Sequence, residues 1–184
     1  MMAEKNIVEG CKHGRREAQR ALYDGYAPGL MATAMRYMGN RDDAQDLLQE
    51  ALIKAFQRID HFDWQGNGSL HAWLERIVIN TALSMLRKAT TQADTVPLDN
   101  LPSNLVEPDP SQVALIDAST ILEMVAALPT GYRTIFNLYC IDGFSHRDIA
   151  QRLGISEGTS SSQLSRARAI LAQKIKDYLK HHDQ

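Results

Sequence analysis

The chain of 184 residues has only two cysteines, Cys11 and Cys140, far apart and in no metal-binding or redox spacing. A disulfide framework and a thiolate metal site are excluded on that count, and a reducing cytoplasm is the expected setting. No apolar run reaches the roughly 18 residues of a transmembrane helix. The N-terminal MMAEKNIVEGCKHGRR lacks the apolar stretch of a signal peptide. Membrane insertion is therefore not expected. The six histidines fall into no Ser-His-Asp, metal-ligand or phosphate-loop constellation. Neither catalysis nor a metal nor a cofactor is expected. Internal repeats and coiled-coil heptads are also absent. The most informative lack is of positive charge in one stretch. Between Ala89 and Leu128 there is no Lys or Arg, but there are six acids: Asp94, Asp99, Glu107, Asp109, Asp117 and Glu123. Taking those six from the 22 acids leaves 16 against 20 basic residues, so the overall charge of −2 hides two mildly basic lobes, net +4, around an acidic middle.

What is present is helical periodicity, and hydrophobic residues at 44% suffice for a core. The stretch from Gly143 to Arg168 reads as two short helices and a tight turn. Ser145 with Asp148 three residues on forms a capping box. Ile149, Ala150 and Leu153 give one apolar face, and Gly154 suits a left-handed stop. Ile155 can fill the angle between the helices. Ser156 caps a second helix with Leu164, Ala167, Ile170 and Leu171 on its buried side. In a helix-turn-helix, the N-terminal residues of the second helix face base edges in the major groove. Here these are Ser156, Glu157, Gly158, Thr159, Ser160, Ser161, Ser162 and Gln163, with Arg166 and Arg168 at phosphate reach. Gln163 is the foremost candidate base reader, with adenine as its natural partner. A plain helical hairpin with ordinary caps is the other reading of this stretch, and the less favoured one.

Upstream, Arg15–Tyr26 reads as a helix and Pro28 as a fresh start, followed by Leu30, Met31, Ala34, Met35 and Met38 up to a break at Gly39-Asn40. From Asp42 to Ile59, Ala44, Leu47, Leu48, Ala51, Leu52, Ala55 and Phe56 make a wide apolar stripe. A second face, Asp46, Gln49, Glu50, Ile53 and Gln57, sets an isoleucine among acids and amides. It reads either as a partner surface or as a solvated face. His61–Ser69 is a loop carrying Trp64, which can stack on an unpaired base or fold onto the core. The helix from Leu70 to Lys88 directs Trp73, Leu74, Ile77, Val78, Met85 and Leu86 inward. Its opposite stripe, Arg76, Asn80, Ser84 and Arg87, has donors and cations but no carboxylate, as suits DNA. Residues 89–112 hold four prolines and no periodicity and read as a linker. Val113–Leu128 resumes a helix, Pro129 opens the next, and the tail KDYLKHHDQ is expected to fray.

Together, GNRDDAQDLLQEALIKAFQRID, SLHAWLERIVINTALSMLRK and LPTGYRTIFNLYCIDGFSHRDIAQRLGISEGTSSSQLSRAR resemble the extracytoplasmic-function (ECF) sigma factors, in the family's order and over nearly the whole chain. The resemblance implies an all-α fold of two helical domains. A region 2 domain would span 1–90, a flexible acidic linker 91–112 and a region 4 domain 113–184. It implies that Asp46, Gln49, Glu50 and Ile53 dock on core RNA polymerase, whose beta and beta-prime subunits are the expected partners. It implies that the loop with Phe62, Trp64, Asn67 and Ser69, and then Trp73, Arg76, Asn80 and Arg87, melts the −10 promoter element and captures a flipped base. The helix from Ser156 would read the −35 element. An anti-sigma factor is a further partner that the family allows. Where the commonest family pattern has an apolar residue, a lysine and often an arginine, this chain has Ser160, Ser161 and Gln163, and each missing cation weakens phosphate binding.

A stand-alone helix-turn-helix regulator is the alternative, but it leaves the 42–59 second face and the Trp64 loop without a task and shows no dimer helix. An adaptor binding only protein would show no promoter preference in complex with polymerase. In the family the linker threads the polymerase's positively charged RNA channel, where six acids would act as a polyanion. Replacing Asp94, Asp99, Glu107, Asp109, Asp117 and Glu123 by neutral residues is expected to change the ratio of abortive to full-length transcripts. Unchanged ratios would refute that role.

Overall fold

The computed structural model describes residues 2–90, 113 and 116–182. The expected linker over 91–112 lies outside the described residues. The chain divides into two compact units, Met1–Ala89 and Thr90–Gln184. Among the described residues all regular structure is helical.

The first unit contains α1 (Glu4–Lys12), α2 (Arg16–Met38), α3 (Arg41–Arg58), a 3-10 turn at Ile59–His61, and α4 (Ser69–Thr90). Its core is built from Val8, Leu22, Leu30, Ala34, Tyr37, Leu47, Leu70, Leu74, Val78 and Ala82, all almost fully buried. At about 25 cal/mol per Å², such side chains contribute the main favourable free energy of the fold. α1 is an element that the sequence reading passed over, yet Ile7, Val8, Gly10 and Cys11 are all buried. Gly10 permits its close approach to α2, because a Cβ there would lie 2.4 Å from that of Ala18. Burial lifts the Cys11 thiol to about 11, which leaves it protonated and inert at neutral pH.

Pro28 does not start a new helix. α2 runs through it without interruption. The proline cannot donate to the Asp24 carbonyl. Asp24, Gly25 and Pro28 are all exposed, so water can take up that carbonyl, while buried Leu22, Ala27 and Leu30 hold both halves on the core. The break falls instead at Gly39, in left-handed conformation, and Asn40 caps α3 by accepting from the Asp43 amide at 2.9 Å.

The second unit has α5 (Ala118–Ala126), α6 (Thr130–Phe136), a π-helical turn (Asn137–Ile141), α7 (His146–Leu153) and α8 (Glu157–His182). Val125, Leu128, Ala167 and Leu171 form its core, with Met124, Tyr132, Phe136 and Ile170 packed around them. Two sequence expectations change. The helix expected from Val113 is interrupted at Ile116–Asp117, so Asp117 and Glu123 belong to the edge and body of α5 rather than to a linker. The tail expected to fray stays helical to His182, because Ile175 is buried and extends the apolar stripe of Ala167 and Leu171. Arg133 ties the corner between α5 and α6, donating to the carbonyls of Ala126 and Leu128 at 2.8 and 3.0 Å.

Replacing Pro28 by Ala restores a missing helix hydrogen bond at an exposed site. It is expected to stabilise the first unit by ~1–3 kcal/mol. A higher urea midpoint with unchanged slope would show this, and a lower midpoint would contradict it.

Candidate nucleic-acid and partner interface

Three surfaces collect the residues singled out by the sequence. The first is the outer face of α3. Ala44, Leu47, Leu48, Ala51, Leu52 and Ala55 point inward. Asp46 and Gln49 are exposed, Glu50 is half-buried, and Ile53 is 58% exposed, the most exposed of the large apolar side chains among the described residues. Glu50 pairs with Lys54 one turn on, and Lys54 also reaches the Thr81 hydroxyl at 3.5 Å. That pairing leaves Ile53 flanked by Asp46 and Gln49 on open surface.

The second surface is the loop from Phe62 to Ser69 with the start of α4. Phe62 is buried and its ring lies 4.9 Å from that of Trp73. It is therefore a wall behind the loop, and the expectation that Phe62 meets DNA directly is corrected. Trp64 is half-buried, its indole N–H is enclosed without a protein acceptor, and the Lys5 ammonium lies 5.6 Å from its ring. Asn67 is exposed at the tip. Gly66 and Gly68 have φ of 117° and 91°, angles that side-chain-bearing residues avoid. Ser69 is turned inward, donating to the Gly66 carbonyl at 2.7 Å and accepting from the Gln65 amide at 3.2 Å. Along α4, Arg76, Asn80 and Arg87 are exposed and Ser84 is half-buried, so the carboxylate-free stripe stands on one side of the helix.

A residue absent from the sequence reading organises this loop. The Glu4 carboxylate accepts from the amides of Gly68 (2.8 Å) and Leu70 (3.0 Å), the Tyr26 hydroxyl (3.2 Å) and the Ser69 hydroxyl (3.4 Å). Desolvation pushes its pKa up, but these hydrogen bonds outweigh it and hold the carboxyl below its ordinary value. Burial and the neighbouring Glu4 charge raise the Tyr26 phenol to about 12. Partners 22 and 64 to 66 residues away leave no local pattern. The only available signal was the apolar spacing of Ile7, Val8 and Cys11, which betrays α1.

The third surface is the helix-turn-helix of α7 and α8. The capping box of Ser145 and Asp148 is formed, and Gly154 closes α7 at φ 70°. Ser156 caps α8 by accepting from the Thr159 amide at 3.0 Å, so its hydroxyl is committed to the helix end rather than open to DNA. Ser160 is fully buried and bonded to His146 Nδ1 at 2.9 Å, while His146 stacks on Tyr139 with centroids 4.4 Å apart. The expectation that Ser160 contacts DNA is thereby corrected. It occupies the inner seam, in register with Leu164, Ala167 and Leu171, and its hydroxyl is satisfied by histidine. Gln163 is half-buried, with its Oε1 3.6 Å from where a Cβ on Gly131 would stand. Its carbonyl end is therefore turned toward α6, not outward as a leading base reader would be. The exposed residues are Glu157, Gly158, Ser161, Ser162, Ser165 and Arg168, with Thr159 and Arg166 half-buried. Ser165 was not singled out by the sequence, although its four-residue step from Ser161 is a sufficient signal. Arg168 reaches back over the Tyr139 ring (5.9 Å) and toward Cys140 Sγ (3.9 Å). No group of acid, His or Cys side chains among the described residues could hold a metal, and no described helix is long and apolar enough to cross a membrane.

Two family models match in chain order: sigma-70 region 2 over residues 22–92 and sigma-70 region 4 over residues 119–171. The architecture is thus that of a sigma-70 type transcription initiation factor. Over 188 aligned residues the chain is 31% identical to the ECF RNA polymerase sigma factor SigW of Bacillus subtilis, covering 96% of this chain and 98% of that one. It is 25% identical to the ECF RNA polymerase sigma-E factor of Escherichia coli K12, covering 97% of each. A solved complex of the sigma factor RpoE with the anti-sigma factor NepR from Bartonella quintana matches at 29% identity, over 85% of this chain and 92% of that one, with a TM-score of 0.47. The chain belongs to the ECF sigma factors.

Ser160 and Ser162 sit two residues apart but do different things. Ser160→Ala should cost ~1 kcal/mol in stability of the second unit, since it orphans His146, with little change in DNA preference. Ser162→Ala should leave the melting temperature alone and alter binding to promoter DNA by the holoenzyme. Calorimetry and a promoter-binding titration separate the two, and a reversed pattern would refute the assignment.

Proposed function

We propose that this sigma factor carries no catalysis of its own, acts in the cytoplasm, and directs RNA polymerase to promoters through the three surfaces in turn. The first domain spans 1–90 and the second 113–184, with residues 91–112 as the acidic linker between them. Asp46, Gln49, Glu50 and Ile53 dock on the core enzyme. Burying Ile53 against a partner helix is worth about 1–2 kcal/mol, and the flanking acids and amides fix the register. Trp64, Asn67, Trp73, Arg76, Asn80 and Arg87 meet the melted −10 strand, with Ser69 turned inward to hold the loop and Phe62 packed against Trp73 as support. Extruding a base costs a few kcal/mol, and stacking on an aromatic ring returns about 1–3 kcal/mol. Glu157, Thr159, Ser161 and Ser162 face the −35 duplex from the start of α8, with Gln163 turned toward α6 beside them, and Arg166 and Arg168 meet phosphates. An anti-sigma protein that covers one of these faces is the expected negative regulator.

The observation that carries the reading is the 31% identity to a sigma factor over 96% of the chain, combined with an exposed isoleucine on the α3 face, where a solitary DNA-binding hairpin would have no use for it. With an overall charge of −2, the free chain is expected to bind duplex DNA weakly. Docking holds both reading surfaces on one template and converts two weak contacts into one effective one.

The test is reconstitution with core RNA polymerase and run-off transcription from a promoter library. Specific product with a two-part consensus is expected. Ile53→Asp should weaken core binding about tenfold or more without lowering the melting temperature. No complex with polymerase, alongside tight duplex binding by the free chain, would favour a stand-alone regulator instead.

A further inference from the structure

Among the described residues, no side chain of its own segment accepts from the first amides of α4, although the Ser69 amide donates to the Gly66 carbonyl at 3.1 Å. The first four amides of a helix are orphan donors that must be satisfied. Ser69, the local residue with a suitable hydroxyl, directs it mainly to the Gly66 carbonyl at 2.7 Å and shares it with Glu4 only at 3.4 Å. The cap comes instead from Glu4, whose two carboxylate oxygens accept from Gly68 and Leu70 on either side of Ser69. A carboxylate at a helix N-terminus also gains from the helix dipole. Glu4 is in turn held from a third element by the Tyr26 hydroxyl of α2. The next residue, Lys5, lies over the Trp64 ring.

α1 lies outside the residues 22–92 that match region 2. The loop it grips contains two glycines at positive φ, a conformation with little intrinsic preference to persist. A loop that must be ordered when it binds charges that ordering against affinity, and one already ordered does not.

We propose that Glu4 is a positioning residue for base capture: by capping α4 across space and fixing the Trp64 loop, α1 preorganises the surface that receives the unpaired −10 base. The inference rests on the reading that this loop takes the extruded base. Glu4 touches no nucleotide. It acts through the Gly68 and Leu70 amides and the loop between Trp64 and Ser69. Tyr26 is its own support, so the chain of action runs α2 to α1 to loop.

The experiment uses holoenzyme reconstituted from the full chain. The probes are single-stranded oligonucleotides carrying the −10 sequence recovered from the promoter library, intact or abasic at the flipped position. Wild type should lose affinity when the base is removed. Glu4→Ala should weaken binding to the intact strand about fivefold, the equivalent of one helix cap, and bind the abasic strand as wild type does. Tyr26→Phe, which deletes only one hydroxyl, should show the same pattern at smaller size and serves if Glu4→Ala does not fold. A loss of equal size on both strands, or no loss on either, would mean that Glu4 is merely structural and would overturn the proposal while leaving the base-capture reading intact. Wild-type indifference to the abasic change would overturn both.

Discussion

A helix end needs something to accept from its amides, and at the start of α4 two of those amides are met by one carboxylate from another helix. Glu4 joins α1, α2, the loop and α4 at a single point. Desolvation works against the charge there, and four donors reverse the balance, so the ionised form is the stable one. The arrangement explains why a short helix of nine residues is present at all. Such a helix is marginal alone. It is held by Ile7, Val8 and Cys11 in the core and by Gly10 against Ala18. In exchange it supplies the fixed point around which the loop is wound.

The second unit solves the equivalent problem locally. Ser145, Asp148, Gly154 and Ser156 satisfy the ends of α7 and α8 within a few residues of each other in sequence. The angle between the two helices is secured by the column of Tyr139, His146 and Ser160. Ser160 is a polar residue at a position where the family's commonest pattern is apolar. Full burial of its hydroxyl is tolerated because His146 bonds to it.

The difference between local and remote solutions accounts for what the sequence disclosed. Caps and stripes operate over three or four residues, so the helix-turn-helix, the course of α3 and the carboxylate-free side of α4 were all legible. Pro28 misled because its punctuation value assumes a helix that must stand alone, whereas buried side chains on both sides of it override the lost bond. Ser160 misled because residue type was weighed above register. Its spacing from Leu164, Ala167 and Leu171 already assigned it to the seam. Phe62 was read by its neighbours in a polar loop, though only the fold shows that it is buried against Trp73. Glu4 was beyond reach of any pattern, since its partners are brought to it by tertiary packing alone.

The architecture of α8 has a consequence on an evolutionary scale. Among the described residues, what holds the start of this helix in place lies on its inner side or at its cap, Ser156. Glu157, Gly158, Ser161, Ser162 and Ser165, which look outward, carry none of that duty. Ser162 and Ser165 do no more than return their hydroxyls to carbonyls of their own helix, at 3.0 and 3.2 Å. Single substitutions along this outer row can therefore accumulate by drift without unfolding the domain. Under the proposed −35 role of this row, a duplicated copy of the chain is free to acquire a different set of target genes while its scaffold stays as it is.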